Sequence, residues 1–377
     1  MNGRGAVPLS VTQTDGIPRP AARDAVRVRE GTGAELEAWD SLVAGFPGHR
    51  VVHTRAWVAS LEDAGFGRPL YLVCERAGQV VACFPGLLKS VGPLRLFGSP
   101  LPGWQSSSMG PAFDPDRVST EAIFSAVLPY LRERWGVHHV EVLHHNLDGA
   151  AMNALGFRGE PVLTFRAPLV PGDAETTFRG LASNARRNIR RAERLGLTPR
   201  FETDDAFADE HYAQLRQVYA HGGYVIPFGP ERVRGCFRRL RDAGRLLAIA
   251  VYLPDGRTNV ASGMFTIEGG ELLLWTWAHH PAYRWYRATE LMTWTVMREA
   301  VARGCRTFDL MGGGDFKAKF GARPDTSKRR WVWSRYAWLG PARALAQQAF
   351  LVQQALRGRV AQAWLHLRTR PVVGEGE

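Results

Sequence analysis

Residues 70–84 are apolar on both sides of Ala77-Gly78, which is the pattern of a β-hairpin turning at that dipeptide. A third strand is predicted at 94–97. After a Pro-, Gly- and Ser-rich loop at 98–111 comes a helix over 119–135, with Ile123, Val127 and Leu131 at helical spacing. A strand at 139–143 and another apolar strand at 162–169 complete this half.

The order returns from Arg245. Strands are predicted at 246–253, 259–267 and 271–277, joined by the turns Pro254-Asp255-Gly256 and Glu268-Gly269-Gly270. A helix over 289–303 stops at Gly304, a strand follows at 306–310, and the last strand lies at 330–338. Three strands, a helix and two strands, twice over, predict an α/β protein of two tandem units. Each would be a mixed, largely antiparallel sheet flanked by helices. Helical segments at 174–197, 209–219 and 231–243 lie between the halves. The expected divisions are a disordered leader at 1–25, a first lobe at 26–173, a second at 174–340 opening on an Arg-rich helix, and a basic amphipathic helix at 341–370.

Composition narrows the class. A chain of 377 residues that is 45% hydrophobic and 22% charged has enough apolar content for two cores and is not a disordered polymer. Its longest apolar run, 246–253, is too short to cross a bilayer. Residues 1–22 contain no apolar core of a secretory signal, so a cytoplasmic protein is expected. Cys74, Cys83, Cys236 and Cys305 are widely separated and without metal-ligand spacing, which predicts packing roles in a reducing compartment and no metal site.

The formal charge of +12 favours anionic partners: nucleic acid, a phosphorylated co-substrate or an anionic lipid head group. Residues 342–370 contain five arginines and no acid, with Leu345, Val352, Leu356 and Trp364 at near-helical spacing. Such a helix usually packs back on its own protein, but it can also rest on the inner face of the membrane or grip RNA.

Three segments suit chemistry. In 183–197, Ala185, Ile189 and Ala192 share one helical face, while Arg186, Arg187 and Arg190 belong to a set of five guanidiniums accompanied only by Glu193. A phosphate-bearing donor would neutralise them. In 307–321 a buried strand breaks into Gly312, Gly313 and Gly314, followed by Asp315, Lys317 and Lys319. The glycines allow close approach of backbone N–H groups to an anion, and the spacing excludes a nucleotide-hydrolysing P-loop. In 275–290 a strand end feeds a helix N-terminus beside Trp277, Arg284, Tyr286, Arg287 and Glu290, which suits a phosphate or an oxyanion. Trp104 and Gln105, in the loop 98–110, are expected to wall an acceptor pocket together with Trp277 and Glu290.

Taken together, Asn184-Ala-Arg-Arg-Asn-Ile-Arg-Arg-Ala192, Thr289-Glu290-Leu291 and Asp309-Leu-Met-Gly-Gly-Gly-Asp-Phe-Lys-Ala-Lys-Phe-Gly321 resemble the Fem-type tandem acyltransferases of the Gcn5-related N-acetyltransferase (GNAT) superfamily. The resemblance covers roughly 26–339. It implies two acyltransferase lobes, an active cleft in or beside the second, and acyl-CoA or aminoacyl-tRNA as co-substrate with no permanently bound cofactor. The acceptor it implies is an amine, a small molecule or a cell-envelope or exopolysaccharide precursor. The sequence departs from the CoA-binding members in having no glycine at 283–289.

Amine acylation needs a proton acceptor, a stabiliser of negative charge and a donor for the leaving group; Asp315, Lys317 or Lys319, and Tyr286 are the expected holders of these roles. Arg284, Arg287 and the three glycines are the expected donor grip. tRNA is a further expected partner and DNA is not. The competing expectation is a non-catalytic RNA-binding or envelope-assembly scaffold on a degenerate acyltransferase fold.

Overall fold

The computed structural model describes residues 25–368, so nearly all of the leader expected at 1–25 lies outside the described residues. In chain order the first half runs β1 (Arg27–Glu30), α1 (Gly33–Glu37), α2 (Trp39–Ala44), α3 (Arg55–Asp63), β2 (Arg68–Arg76), β3 (Gln79–Val91) and β4 (Leu94–Ser99). It continues with β5 (Ala112–Phe113), α4 (Thr120–Trp135), β6 (His139–His144), α5 (Gly149–Ala154), β7 (Arg158–Pro161) and β8 (Thr164–Pro168).

The second half begins with α6 (Ala174–Arg179), α7 (Ser183–Arg194), β9 (Thr198–Phe201), α8 (Ala206–His221) and α9 (Pro230–Asp242). Then come β10 (Leu246–Tyr252), β11 (Asn259–Glu268), β12 (Glu271–His279), α10 (Ala288–Ala302), β13 (Thr307–Asp309), β14 (Arg323–Asp325), β15 (Arg329–Ser334) and α11 (Leu339–Arg368).

Two mixed sheets result, with the orders β1-β2-β3-β4-β6-β15-β7 and β14-β8-β13-β12-β11-β10-β9. Each contains a three-strand meander, β2-β3-β4 or β10-β11-β12, whose last strand pairs in parallel with the strand after a crossover helix: β4 with β6 around α4, and β12 with β13 around α10. The repeated order read in the sequence is thus a repeated topology.

One expectation needs correction. The strand predicted to close the first half, β8, pairs with β13 and β14 in the second sheet, and the strand predicted to close the second half, β15, pairs with β6 and β7 in the first. The two halves exchange a strand. Only 162–163 separate β7 from β8 and only 326–328 separate β14 from β15, so the chain steps straight from one sheet to the other. The two crossings run side by side, Val162 N donating to Lys328 O at 2.9 Å. Hydrophobic periodicity specifies which residues form a strand and which face is buried; it does not say which sheet a strand joins.

Apolar burial follows the layers. In the second unit Ala185, Ile189 and Ala192 of α7 pack with Leu291, Met292 and Met297 of α10 against Leu247, Ile249 and Phe308 of the sheet. The first sheet carries α4 through Ile123, Phe124, Val127 and Leu131. A third core belongs to both halves: Trp57 and Leu61 of α3 meet Val233, Phe237 and Leu240 of α9. All four cysteines are buried and unpaired, and burial pushes the Cys74, Cys83 and Cys236 thiols up to about 12. Among the described residues no helix is long and apolar enough to cross a membrane.

Candidate active site

The site forms where β12 and β13 part. Their parallel pairing covers only Glu271–Leu273 against Thr307–Asp309; β12 then continues to His279, while the partner chain leaves the sheet at Leu310. The departure is set locally. Asp309 Oδ1 accepts the Met311 N–H at 2.7 Å, Met311 takes φ 54°, and Gly314 takes φ 135°, which a residue with a Cβ rarely adopts. From Gly314 the chain winds into a 3-10 turn at Asp315–Phe320, facing the open edge of β12.

The opening is a cavity of about 500 Å³. Trp277, Ala278 and His279 form one wall, and Gly313, Gly314, Phe316, Lys317 and Lys319 form the other. Its rim is Tyr283, Arg284 and Arg287, and its end is Ala288, Thr289 and Glu290 in the first turn of α10. Arg287, in the left-handed conformation at φ 63°, is the N-cap of this helix and gives no side-chain cap, so the first-turn N–H groups point out uncapped beside two guanidiniums. That combination suits a phosphate or a pyrophosphate.

Glu290 is the acid of the site. It is 3% exposed, receives a hydrogen bond from Asn188 Nδ2 at 2.9 Å, and has Lys319 Nζ 3.5 Å from the same oxygen, Oε1. Lys319 Nζ also lies over the Phe316 ring, which meets Trp277 edge to face at 5.5 Å. Lys317 donates to Met311 O at 2.5 Å and Gly312 O at 3.1 Å, and burial pulls its ammonium down to about 8, with Asp309 opposing.

The structure therefore brings together Trp277, Arg284, Arg287, Glu290, Gly313, Gly314, Lys317 and Lys319 from the residues singled out in the sequence, with Gly312 one step outside. It does not bring the others. Asp315 is exposed on the far side of the 3-10 turn and Tyr286 packs among Tyr283 and Trp285; neither lines the cavity. Arg186 turns away to cap α6, donating to Arg179 O at 2.5 Å and Leu181 O at 2.9 Å. Arg190 lies 5.5 Å over the Phe178 ring and Arg187 faces solvent, so the arginine ladder secures the α6–α7 corner and does not line the cavity.

Trp104 and Gln105 lie in the core shared by the halves. Trp104 stacks on Phe66 at 5.7 Å, and the Gln105 carbonyl accepts the Trp275 Nε1–H at 2.8 Å. Beside them Arg232, 1% exposed, sits within 5.4 Å of the Trp57 ring and 5.0 Å of the Trp275 ring. That long loop joins the two units.

Sequence reasoning missed two groups. Asn188 is hidden among arginines, although with Ser183 and Asn184 it is one of the uncharged polar residues of a helix otherwise built from Arg, Ala, Ile and Glu193. The second is a buried ion pair beneath the glycine segment. Asp309, 0% exposed, accepts from Thr164 Oγ1 at 2.5 Å and faces Lys328 Nζ at 3.3 Å; Lys328, 3% exposed, also donates to Ser107 Oγ at 3.0 Å. The pair stands at the strand exchange and ties the first unit to the segment carrying Lys317.

With this geometry in hand, comparisons place the fold. Residues 179–319 match the family model described as an acetyltransferase (GNAT) domain. Among solved structures, FemX superposes with a TM-score of 0.66 at 13% identity, over 81% of this chain and 96% of that one. L-PGS from Bacillus licheniformis gives 0.51 at 12% identity, over 86% and 98%. A conserved protein of unknown function from Bacteroides thetaiotaomicron VPI-5482 gives 0.51 at 10%, over 81% and 98%. A search of curated protein sequences finds no match. The matched segment runs from α6 to the 3-10 turn and so contains every residue of the cavity. Residues 179–319 of this chain are thus similar to a GNAT acetyltransferase domain, and they stand inside a two-unit fold that resembles that of FemX.

Proposed function

We propose that the protein transfers an acyl or aminoacyl group from a phosphate-bearing donor to an amine, with Glu290 as proton acceptor. The observation that carries this reading is the cavity itself, where one buried carboxylate faces two lysines, two rim arginines, an uncapped helix N-terminus and a glycine backbone.

The donor phosphates lie at the rim on Arg284, Arg287 and the first-turn N–H groups of α10, which places the donor carbonyl inward. The acceptor nitrogen attacks that carbon. A C–N bond forms, the bond from carbon to the sulfur or oxygen of the donor breaks, and the proton lost by nitrogen passes to Glu290. Lys319, next to Glu290 and over Phe316, donates to the developing oxyanion and to the departing atom. Trp277 and Phe316 exclude water from the acyl group.

Acyl-CoA and aminoacyl-tRNA both meet these requirements. The rim fits a pyrophosphate although 283–289 lacks glycine, since Arg287 already adopts the left-handed conformation that glycine provides easily. The acceptor class is an amine presented by a small molecule or an envelope precursor. The test offers purified protein each donor with a mixture of amines and follows donor consumption and amide formation. Transfer from one donor, lost in Glu290→Gln, is expected. Binding of RNA without transfer from either donor would leave the scaffold reading in its place.

A further inference from the structure

The last helix is fastened along one side. Near its start Arg343 reaches the first sheet, donating to Glu141 Oε1 at 2.7 Å and Glu160 Oε1 at 2.9 Å. Fifteen residues on, Gly358 is buried against the end of α8, where an added Cβ would stand 1.8 Å from Gly223 O. Only a glycine lets the two backbones come this close. Gln354, one turn earlier, has its Oε1 buried on the same side.

Roughly half a turn around the helix, the other side carries Leu345, Ala349, Val352 and Leu356 at spacings that return to one face. These positions face solvent: Leu345 is 72%, Val352 57% and Leu356 57% exposed. In the sequence the same spacing continues at Val360, Ala363 and Leu367, while the helix backbone extends to Arg368. A continuous apolar line on a held helix costs free energy in water unless something covers it.

Charge decides what covers it. From Leu339 to Arg370 there are five arginines and no acidic residue; Arg343 is neutralised by carboxylates and Arg357 is exposed. A second copy of the chain would bring the same cations face to face. RNA would satisfy the arginines but gains nothing from an apolar line. An anionic lipid surface satisfies both: its head groups take the guanidiniums and its acyl boundary takes the leucines.

We propose that the outward face of α11, along Leu345, Val352 and Leu356, docks the protein on an anionic bilayer surface. The docking is independent of the donor used at the GNAT cavity, because the test reads binding and not transfer.

The full-length chain is floated with vesicles of phosphatidylcholine alone and of phosphatidylcholine with phosphatidylglycerol. Binding to the second and not the first is expected, weakening as salt rises. Joint replacement Leu345→Gln, Val352→Gln and Leu356→Gln should lower the partition at least about tenfold, and Arg357→Gln roughly fivefold. Because all four side chains are exposed, the helix and the fold should survive these changes, which far-UV circular dichroism checks. The idea is overturned if the chain ignores anionic vesicles, binds neutral ones equally, or binds as well after the triple replacement. Self-association or RNA retention that the triple replacement abolishes, without vesicle binding, overturns it equally.

Discussion

Asn188 of α7 donates its side-chain N–H to Glu290 of α10 at 2.9 Å, so the carboxylate inside the cavity is aimed from a neighbouring helix as well as from its own. Glu290→Gln keeps the size of the side chain and an oxygen for Asn188, but removes the charge and the basic oxygen. With a competent donor and amine, kcat should fall by about 10²–10⁴-fold, the usual contribution of a positioned proton acceptor, while donor binding stays near its original level. Steady-state kinetics together with donor binding separate the two. Full turnover in the Gln variant would remove Glu290 from that role.

Beneath the glycine segment the Lys328–Asp309 pair links three parts of the chain: Ser107 of the first unit, Thr164 of the exchanged strand and the Met311 amide. Burial opposes charge on both partners, and the attraction between them holds Asp309 below the ordinary carboxylate range while burial pulls Lys328 below the ordinary ammonium range. Removing one partner leaves the other charged and enclosed. Lys328→Ala should therefore cost on the order of 3–5 kcal/mol in denaturant unfolding, and the joint change Lys328→Met with Asp309→Leu should cost less than Lys328→Ala alone. A smaller loss from Lys328→Ala than from the joint change would show that the pair does not act as a unit.

That pair also marks how far the sequence could be read. Strand positions, the crossover helix of each unit and the cluster around Gly313 and Glu290 were legible, because they rest on periodicity and on turn chemistry within about fifteen residues. What decides the rest is contact between distant segments. Thr164 meets Asp309 across 145 positions and Lys328 meets Ser107 across 221. Nothing local distinguishes an arginine that grips a ligand from one such as Arg186 that caps a neighbouring helix, or a loop tryptophan in a pocket from one such as Trp104 in a domain junction. Asp315 looked suitable because it follows the glycines; the 3-10 turn that begins there points it outward.

Two enclosed histidines predict acid sensitivity. His53 is 1% and His211 0% exposed, and burial holds both imidazoles down at about 3. His211 has Ser262 Oγ at 2.7 Å and Thr276 Oγ1 at 2.9 Å on its two nitrogens, neutral hydroxyls that bring no negative charge to balance a buried imidazolium. The unfolded chain binds protons at an ordinary histidine pKa of about 6.5, above the folded values, so stability is complete above that pH and lost as pH falls towards 3. Each group contributes up to about 1.4 kcal/mol per pH unit across this window. Unfolding free energies measured from pH 7 to 4 should fall with that slope, and His211→Gln should flatten it while lowering the plateau near neutrality. A flat profile for the parent protein would show that these rings accept protons in place.

Lys317 predicts an alkaline effect of a different kind. Its ammonium donates to two carbonyls of the glycine segment, Met311 O and Gly312 O, and thereby holds the wall of the cavity in shape next to the donor site. Burial lowers the group to about 8, so it is charged below that pH and neutral above it. Donor affinity should therefore decline as pH rises through about 8, reading as an increase in the donor KM, while Lys317→Met should be weak and without that step at any pH. The linkage works in the opposite direction for stability. Between about 8 and the unfolded value near 10.4 the unfolded chain binds more protons at this residue, so folding is favoured as pH rises. A fall in donor affinity across that window is therefore a change at the site and not the onset of unfolding at Lys317. Thermal melts run beside the kinetics distinguish the two, and a donor KM independent of pH from 7 to 9 in the parent protein would exclude Lys317 from holding the donor wall.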